Sequence, residues 1–222
     1  KPGRIVNIAS GFDVEIVDGA PEGGRIVRLV VEGSVREALE KHGHVPLPPY
    51  LEREDEPLDR ERYQTVYARV PGSVAAPTAG LHFTYELLDK IRAKGVERVA
   101  VTLDVGVGTF RPVKVEDPTE HKLHAEAYYV PSETAETINT ALGKGRHIWA
   151  VGTTVVRTLE SAGRYGVVEA GGGMTDLFIR PGFTFQVVDG LVTNFHLPRS
   201  TLLMLVAAFG GYERGMEAYR LA

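Results

Sequence analysis

The chain has 222 residues, a net charge of −4, 43% hydrophobic and 24% charged residues, and no cysteine. That composition is ordinary for a globular protein, with room for one large domain or a domain and a half. It excludes disulfides, thiolate nucleophiles and cysteine-held zinc or iron–sulfur centres, and no apolar run is long enough to span a membrane. The small negative charge leaves local basic patches as the route to a polyanion. Lys1-Pro2-Gly3 leads straight into a strand pattern rather than a leader, so the reading is a cytoplasmic protein.

The first elements are β. Runs rich in β-branched residues cover 4–9, 12–17 and 25–31, separated by Ser10-Gly11 and by residues 18–24. Three strands cannot close a barrel or bury a good core alone. Residues 1–45 are therefore read as part of a small all-β domain, entered partway through. Ser34-Val-Arg-Glu37 is a capping box that starts a short helix through Lys41. Pro46-Leu-Pro-Pro49 ends that pattern, and the charged run 52–62 reads as a solvated linker or helix.

Residues 46–222 are read as one mixed α/β domain. Thr84 caps a helix over 85–94, with Leu87, Leu88 and Ile91 on one face and Gly95 as a stop. A strand is predicted over 96–105. Ser132 caps a second helix over 133–142, and a strand over 147–151 runs into Gly152-Thr153-Thr154 and a helix over 155–162. This alternation predicts parallel-type strand–helix units. Asp189-Gly190 is a strong hairpin signal, set between alternating runs at 183–188 and 191–195, so a C-terminal hairpin is predicted. Pro198 leaves the strand and Ser200 is a good N-cap. Residues 201–209 are apolar nearly all round, which predicts a helix buried on every side, stopped by Gly210-Gly211.

Five clusters could carry chemistry. Thr193, Asn194 and His196 sit between a core strand and a core helix, where α/β proteins bind ligands. They fit bracing of that junction equally well. In Pro77-Thr78-Ala-Gly80-Leu-His82-Phe83, small residues let a backbone approach a ligand and His82 can transfer protons near neutral pH. It could instead anchor a helix N-terminus. Asp104-Val-Gly106-Val-Gly108-Thr109-Phe110 imitates the acidic-x-Gly-x-Gly turn of methyltransferases. A phosphate-cradling turn needs a helix behind it, and Pro112 and Pro118 interrupt, so a glycine turn shaped for another purpose fits better. His121-Lys-Leu-His124-Ala-Glu126 invites a zinc reading with His82 or His196 as a third ligand, although the spacing matches no understood zinc motif. On a strand, His124 and Glu126 would share a face and form a tunable base or acid. Gly152-Thr153-Thr154 with Arg157 suggests a carboxylate pocket at a helix N-terminus, clamped by the guanidinium. The alternative is simple capping, with Arg157 bridging to Glu160 or Glu169.

Taken together, six motifs carry a resemblance: Pro77-Thr-Ala-Gly-Leu-His-Phe83, Val105-Gly-Val-Gly-Thr-Phe-Arg-Pro-Val113, His121-Lys-Leu-His-Ala-Glu126, Gly152-Thr-Thr-Val-Val-Arg-Thr-Leu-Glu-Ser161, Thr175-Asp-Leu-Phe-Ile179 and Thr193-Asn-Phe-His-Leu-Pro198. In this order they resemble the S-adenosylmethionine:tRNA ribosyltransferase-isomerase family of queuosine biosynthesis. The match runs from about Gly43 to the C-terminus, and residues 1–33 are similar to the latter part of that family's inserted β-barrel domain. Family members are longer, so an N-terminal portion and a short C-terminal tail are expected to be missing. Asp104 stands where relatives commonly have histidine.

The resemblance implies that S-adenosylmethionine, as co-substrate, donates its ribosyl part. The acceptor is the aminomethyl group of 7-aminomethyl-7-deazaguanine at the tRNA wobble position. The products are epoxyqueuosine-tRNA, adenine and methionine, and no metal, other cofactor or membrane is involved. Such a reaction needs a base near the ribose 5′-carbon, an acid near the adenine and a pocket for a zwitterionic amino acid. The candidate catalytic residues are His124, Glu126, His82 and His196, with the His124–Glu126 pair placed first. The candidate substrate-binding residues are Thr78, Gly80, Gly106, Gly108, Thr109, Gly152, Thr153, Thr154, Arg157, Thr193 and Asn194. They are expected to line one cleft, beside a basic surface drawn from Arg146, His147, Arg157, Arg164, Arg180 and Arg199. Phosphate contacts there would make RNA binding salt-dependent. The rival readings are an S-adenosylmethionine-dependent methyltransferase, a non-catalytic tRNA-binding module and a zinc hydrolase.

Overall fold

The computed structural model describes residues 1–20, 23–106 and 123–222. The predicted site residues Gly108 and Thr109, and His121, lie outside the described residues. The chain forms two compact units, Lys1–Val45 and Pro46–Ala222.

In the first unit, β1 (Ile5–Ala9), β2 (Phe12–Gly19) and β3 (Arg25–Val31) pair antiparallel in sequence order. Their Val and Ile side chains suit a pleated surface. Helix α1 (Val35–His42) begins where the capping box predicts, with the Glu37 N–H donating to the Ser34 hydroxyl at 3.3 Å. Phe12 is buried and its ring lies 6.1 Å from that of His42. Ile5, Ile8, Ile26 and Val30 are exposed.

The second unit contains α2 (Asp59–Arg62), α3 (Tyr85–Ala93), β4 (Thr102–Leu103), β5 (Glu126–Val130), α4 (Ser132–Gly143), β6 (Trp149–Val151), α5 (Thr153–Ala162), β7 (Gly171–Thr175), β8 (Gly190–Val192), α6 (Thr201–Gly210) and α7 (Tyr212–Leu221). Strands β4, β5 and β7 form an antiparallel sheet, and β6 pairs parallel with β8. The architecture is mixed α/β. Helix α5 organises the core: Val156, Leu159 and Ala162 are buried among Val130, Ile138, Ala150, Ile179 and Val187. The charged run 52–62 is less solvated than its composition suggests. Buried Asp59 pairs with both Arg53 amino groups at 2.7 and 2.8 Å, which pulls its carboxyl down to about 2.

Several expectations are corrected. The C-terminal hairpin is absent: β8 pairs parallel with β6, and residues 183–188 form no strand. Their backbone donors go instead to a buried carboxylate. The N–H groups of Gln186, Val187 and Val188 donate to Glu160 of α5 at 2.8, 3.1 and 2.9 Å. Three donors on one carboxylate satisfy both the chain and the charge. Gly190 makes no turn here; it has ordinary φ, and a Cβ there would collide with the Trp149 ring. Among the described residues only one strand pair is parallel, so the alternation of strands and helices overstated that geometry. The strand predicted over 96–105 shrinks to Thr102–Leu103, since Val96 and Val99 are exposed and the Ala100 carbonyl accepts from the Thr134 hydroxyl. Ser132 is the first residue of α4 rather than its cap, which is Pro131. Helix α6 is half-buried, with Leu205 alone fully buried. Strand β7 is glycine-rich and α7 follows the glycine stop; neither was predicted.

Candidate active site

Two segments distant in sequence meet through their side chains. Thr78–His82 is a 3-10 turn that precedes Thr84-capped α3. Asn194 lies between β8 and α6. His82 Nε2 is 2.6 Å from Asn194 Oδ1, and Asn194 Nδ2 donates to Thr78 Oγ1 at 3.1 Å. An amide has one accepting and one donating end, and both are used here. The His82 ring is exposed, and among the described residues no partner is seen on its Nδ1. Gly80, on the same turn, does not open space for a ligand. A Cβ there would collide with the Tyr67 hydroxyl, so the glycine serves internal packing.

His196 is held next door. Its Nε2 lies 3.0 Å from the Thr193 hydroxyl. Its N–H donates to the Tyr219 hydroxyl at 2.6 Å, and that hydroxyl donates to the His196 carbonyl at 3.0 Å. The exposed Phe195 ring meets Tyr219 edge-on at 4.8 Å. Tyr219 was missed in the sequence, although Tyr212, Met216 and Tyr219 carry helical spacing beyond the glycine stop. Burial pushes the His196 pKa down. The unfolded chain therefore takes up the proton more readily, so this contribution to stability is complete above the ordinary histidine pKa and falls as pH drops below it. Urea unfolding should show the wild type losing more stability than His196→Gln between about pH 7 and about pH 5.5. Parallel losses would contradict this.

A second group is buried. Glu126 opens β5 and Arg157 lies in α5, each 7% exposed. Arg157 Nη1 ion-pairs with Glu126 Oε2, its Nη2 donates to the Thr175 carbonyl at 3.4 Å, and its Nε donates to the Leu177 carbonyl at 3.2 Å. The other Glu126 oxygen accepts the Gly106 N–H at 3.3 Å. The guanidinium fork is thus occupied from within. That corrects two expectations: Arg157 is not free to clamp a substrate carboxylate, and it cannot contribute to a basic surface. Nor does it bridge to Glu160, whose carboxylate is taken by backbone. His124 precedes β5 and is exposed, whereas Glu126 is buried, so the two do not share one environment as strand alternation predicted.

The remaining candidates brace the junction between β6 and α5. The Gly152 N–H donates to the Val192 carbonyl at 2.9 Å, extending the parallel pair. Gly152 is the N-cap of α5, which has no side-chain cap; Thr153 is buried and Thr154 half-buried. Of the proposed basic residues, Arg180 and Arg199 are exposed, Arg146 lies 4.0 Å from Glu97, and His147 lies 3.8 Å from Asp189. The structure therefore joins Thr78, His82 and Asn194; Thr193 and His196; and Gly106, Glu126 and Arg157 as three bonded groups.

The fold and these groups define a mixed α/β protein whose polar residues are gathered from segments far apart in sequence. The chain belongs to the queuosine biosynthesis protein family, whose model matches residues 1–222. It is 54% identical over 223 residues to the S-adenosylmethionine:tRNA ribosyltransferase-isomerase of Syntrophotalea carbinolica, covering 100% of this chain and 65% of that protein. It is 61% identical over 213 residues to the enzyme of that name from Thermus thermophilus, covering 96% and 60% respectively. Among solved structures, the S-adenosylmethionine tRNA ribosyltransferase of Thermotoga maritima superposes with a TM-score of 0.53 at 36% identity, covering 100% of this chain and 60% of that one. The chain thus spans about three-fifths to two-thirds of the length of these relatives.

Proposed function

We propose that this chain, within the intact enzyme, transfers and isomerises the ribosyl part of S-adenosylmethionine onto the aminomethyl group of 7-aminomethyl-7-deazaguanine at the tRNA wobble position. The sulfonium acidifies the neighbouring ribose 5′-carbon, so a base can remove a proton there. Ring opening expels adenine, the amine attacks the rearranged unit, and an epoxide closes as methionine leaves. The chemistry calls for no metal and no cofactor beyond the co-substrate, and the setting is cytoplasmic. Residues 1–45 are read as part of a small β-barrel domain and 46–222 as the catalytic domain.

The observation that carries this reading is the meeting of Thr78, His82 and Asn194, bonded across 112 and 116 positions of sequence. His82 is exposed and tied to an amide, which favours it over His124 as the base. Glu126 and Arg157 serve as a buried brace that holds the Gly106 N–H. The names of the relatives support the reaction class. Product analysis on the intact protein with substrate tRNA tests it. Adenine and methionine should appear in equal amounts with the ribosyl label on tRNA. S-adenosylhomocysteine would point to methyl transfer, and RNA binding without turnover to a binding module.

A further inference from the structure

Resting on that reading, we propose that Asn194 and Thr78 are positioning residues that hold His82 as its Nε2-protonated tautomer, leaving Nδ1 as the nitrogen that takes the 5′-proton. Sequence alone placed both residues among those touching substrate; the geometry gives them a different task. Asn194 Nδ2 donates to Thr78 Oγ1 at 3.1 Å, so one end of the amide is held by the turn. The accepting end, Oδ1, lies 2.6 Å from His82 Nε2. An oxygen acceptor at that distance requires a proton on Nε2. A neutral imidazole protonated there carries its lone pair on Nδ1.

The frame around the ring is fixed on both sides. The Gly80 N–H donates to the Pro77 carbonyl at 2.7 Å and the Phe83 N–H to the Gly80 carbonyl at 3.1 Å, so the turn sets Thr78 and His82 relative to each other. Tyr219 grips the backbone two residues beyond Asn194 through both its hydrogen bonds to His196. In the step itself the C5′–H bond breaks, an Nδ1–H bond forms, and the electron pair stays on the carbon beside the sulfonium. Oδ1 still accepts from Nε2–H once the ring is cationic, so the same contact serves before and after transfer.

The test is the histidine 15N spectrum of the intact labelled protein, with His82 assigned by its loss in His82→Gln. At neutral pH, Nε2 should show the protonated signature and Nδ1 the bare one. Asn194→Ala and Thr78→Val should each move His82 toward a mixture of tautomers. Asn194→Ala should lower kcat for adenine release by about tenfold or more with little change in KM for S-adenosylmethionine. Asn194→Asp, which keeps an acceptor oxygen, should retain the tautomer and recover activity above the alanine variant. Should Asn194→Ala fail to fold, the wild-type spectrum and Thr78→Val still decide. A bare Nε2 in the wild type, as an amide turned the other way would give, overturns the positioning role. An unchanged kcat in Asn194→Ala does the same. Wild-type adenine release is scored in parallel: its absence overturns the ribosyl-transfer reading, whatever the tautomer.

Discussion

Replacing Arg157 with methionine should destabilise the fold by about 3–5 kcal/mol, because it leaves the Glu126 carboxylate charged, buried and without its cation. The side chains are 9% and 7% exposed, so solvent cannot repair the loss. The carbonyls of Thr175 and Leu177 lose their donors as well, and an unsatisfied buried polar group carries its own desolvation penalty. Glu126→Gln should be damaging for the mirror reason, stranding the guanidinium. Replacing both residues with apolar side chains of similar volume should recover most of the stability, since buried ion pairs exchange for hydrophobic pairs at little net cost. Urea unfolding of the singles and the double measures this directly. If Arg157 were instead a substrate clamp, Arg157→Lys would raise KM while leaving stability intact.

The second large effect falls on turnover. His82→Ala should slow adenine release by at least roughly a hundredfold while S-adenosylmethionine binding persists, the pattern of a lost proton acceptor. His124→Ala should release adenine near the wild-type rate, because His124 is exposed whereas Glu126 is buried against Arg157. Loss at His124 with His82→Ala unaffected would move the base to the end of β5. Binding and release must be scored separately, since a collapsed site would depress both.

The elements most legible in the sequence were those with local caps. Ser34, Thr84 and Ser200 each accept the backbone N–H that their position predicts. What failed depended on distant partners. Residues 183–188 alternate as a strand does, yet the carboxylate of Glu160, on another element, takes three of their donors. The Asp189-Gly190 signal was real, but it marks close packing under Trp149 rather than a turn. Strand β7 was invisible because Gly171, Gly172 and Gly173 carry no side-chain pattern. For the site, residue types in the motifs pointed to Thr78, His82, Asn194, Glu126 and Arg157. Pairing them needed coordinates: sequence alternation joined Glu126 to His124, whereas the fold joins it to Arg157, 31 positions away.

The most direct measurement is a structure of the intact protein with S-adenosylmethionine bound. The ribose 5′-carbon should lie within about 3–3.5 Å of His82 Nδ1, the separation of a near-attack geometry, with Asn194 still bridging Nε2 and Thr78. A 5′-carbon seated against His124 or His196, with His82 turned away from the ligand, would contradict it.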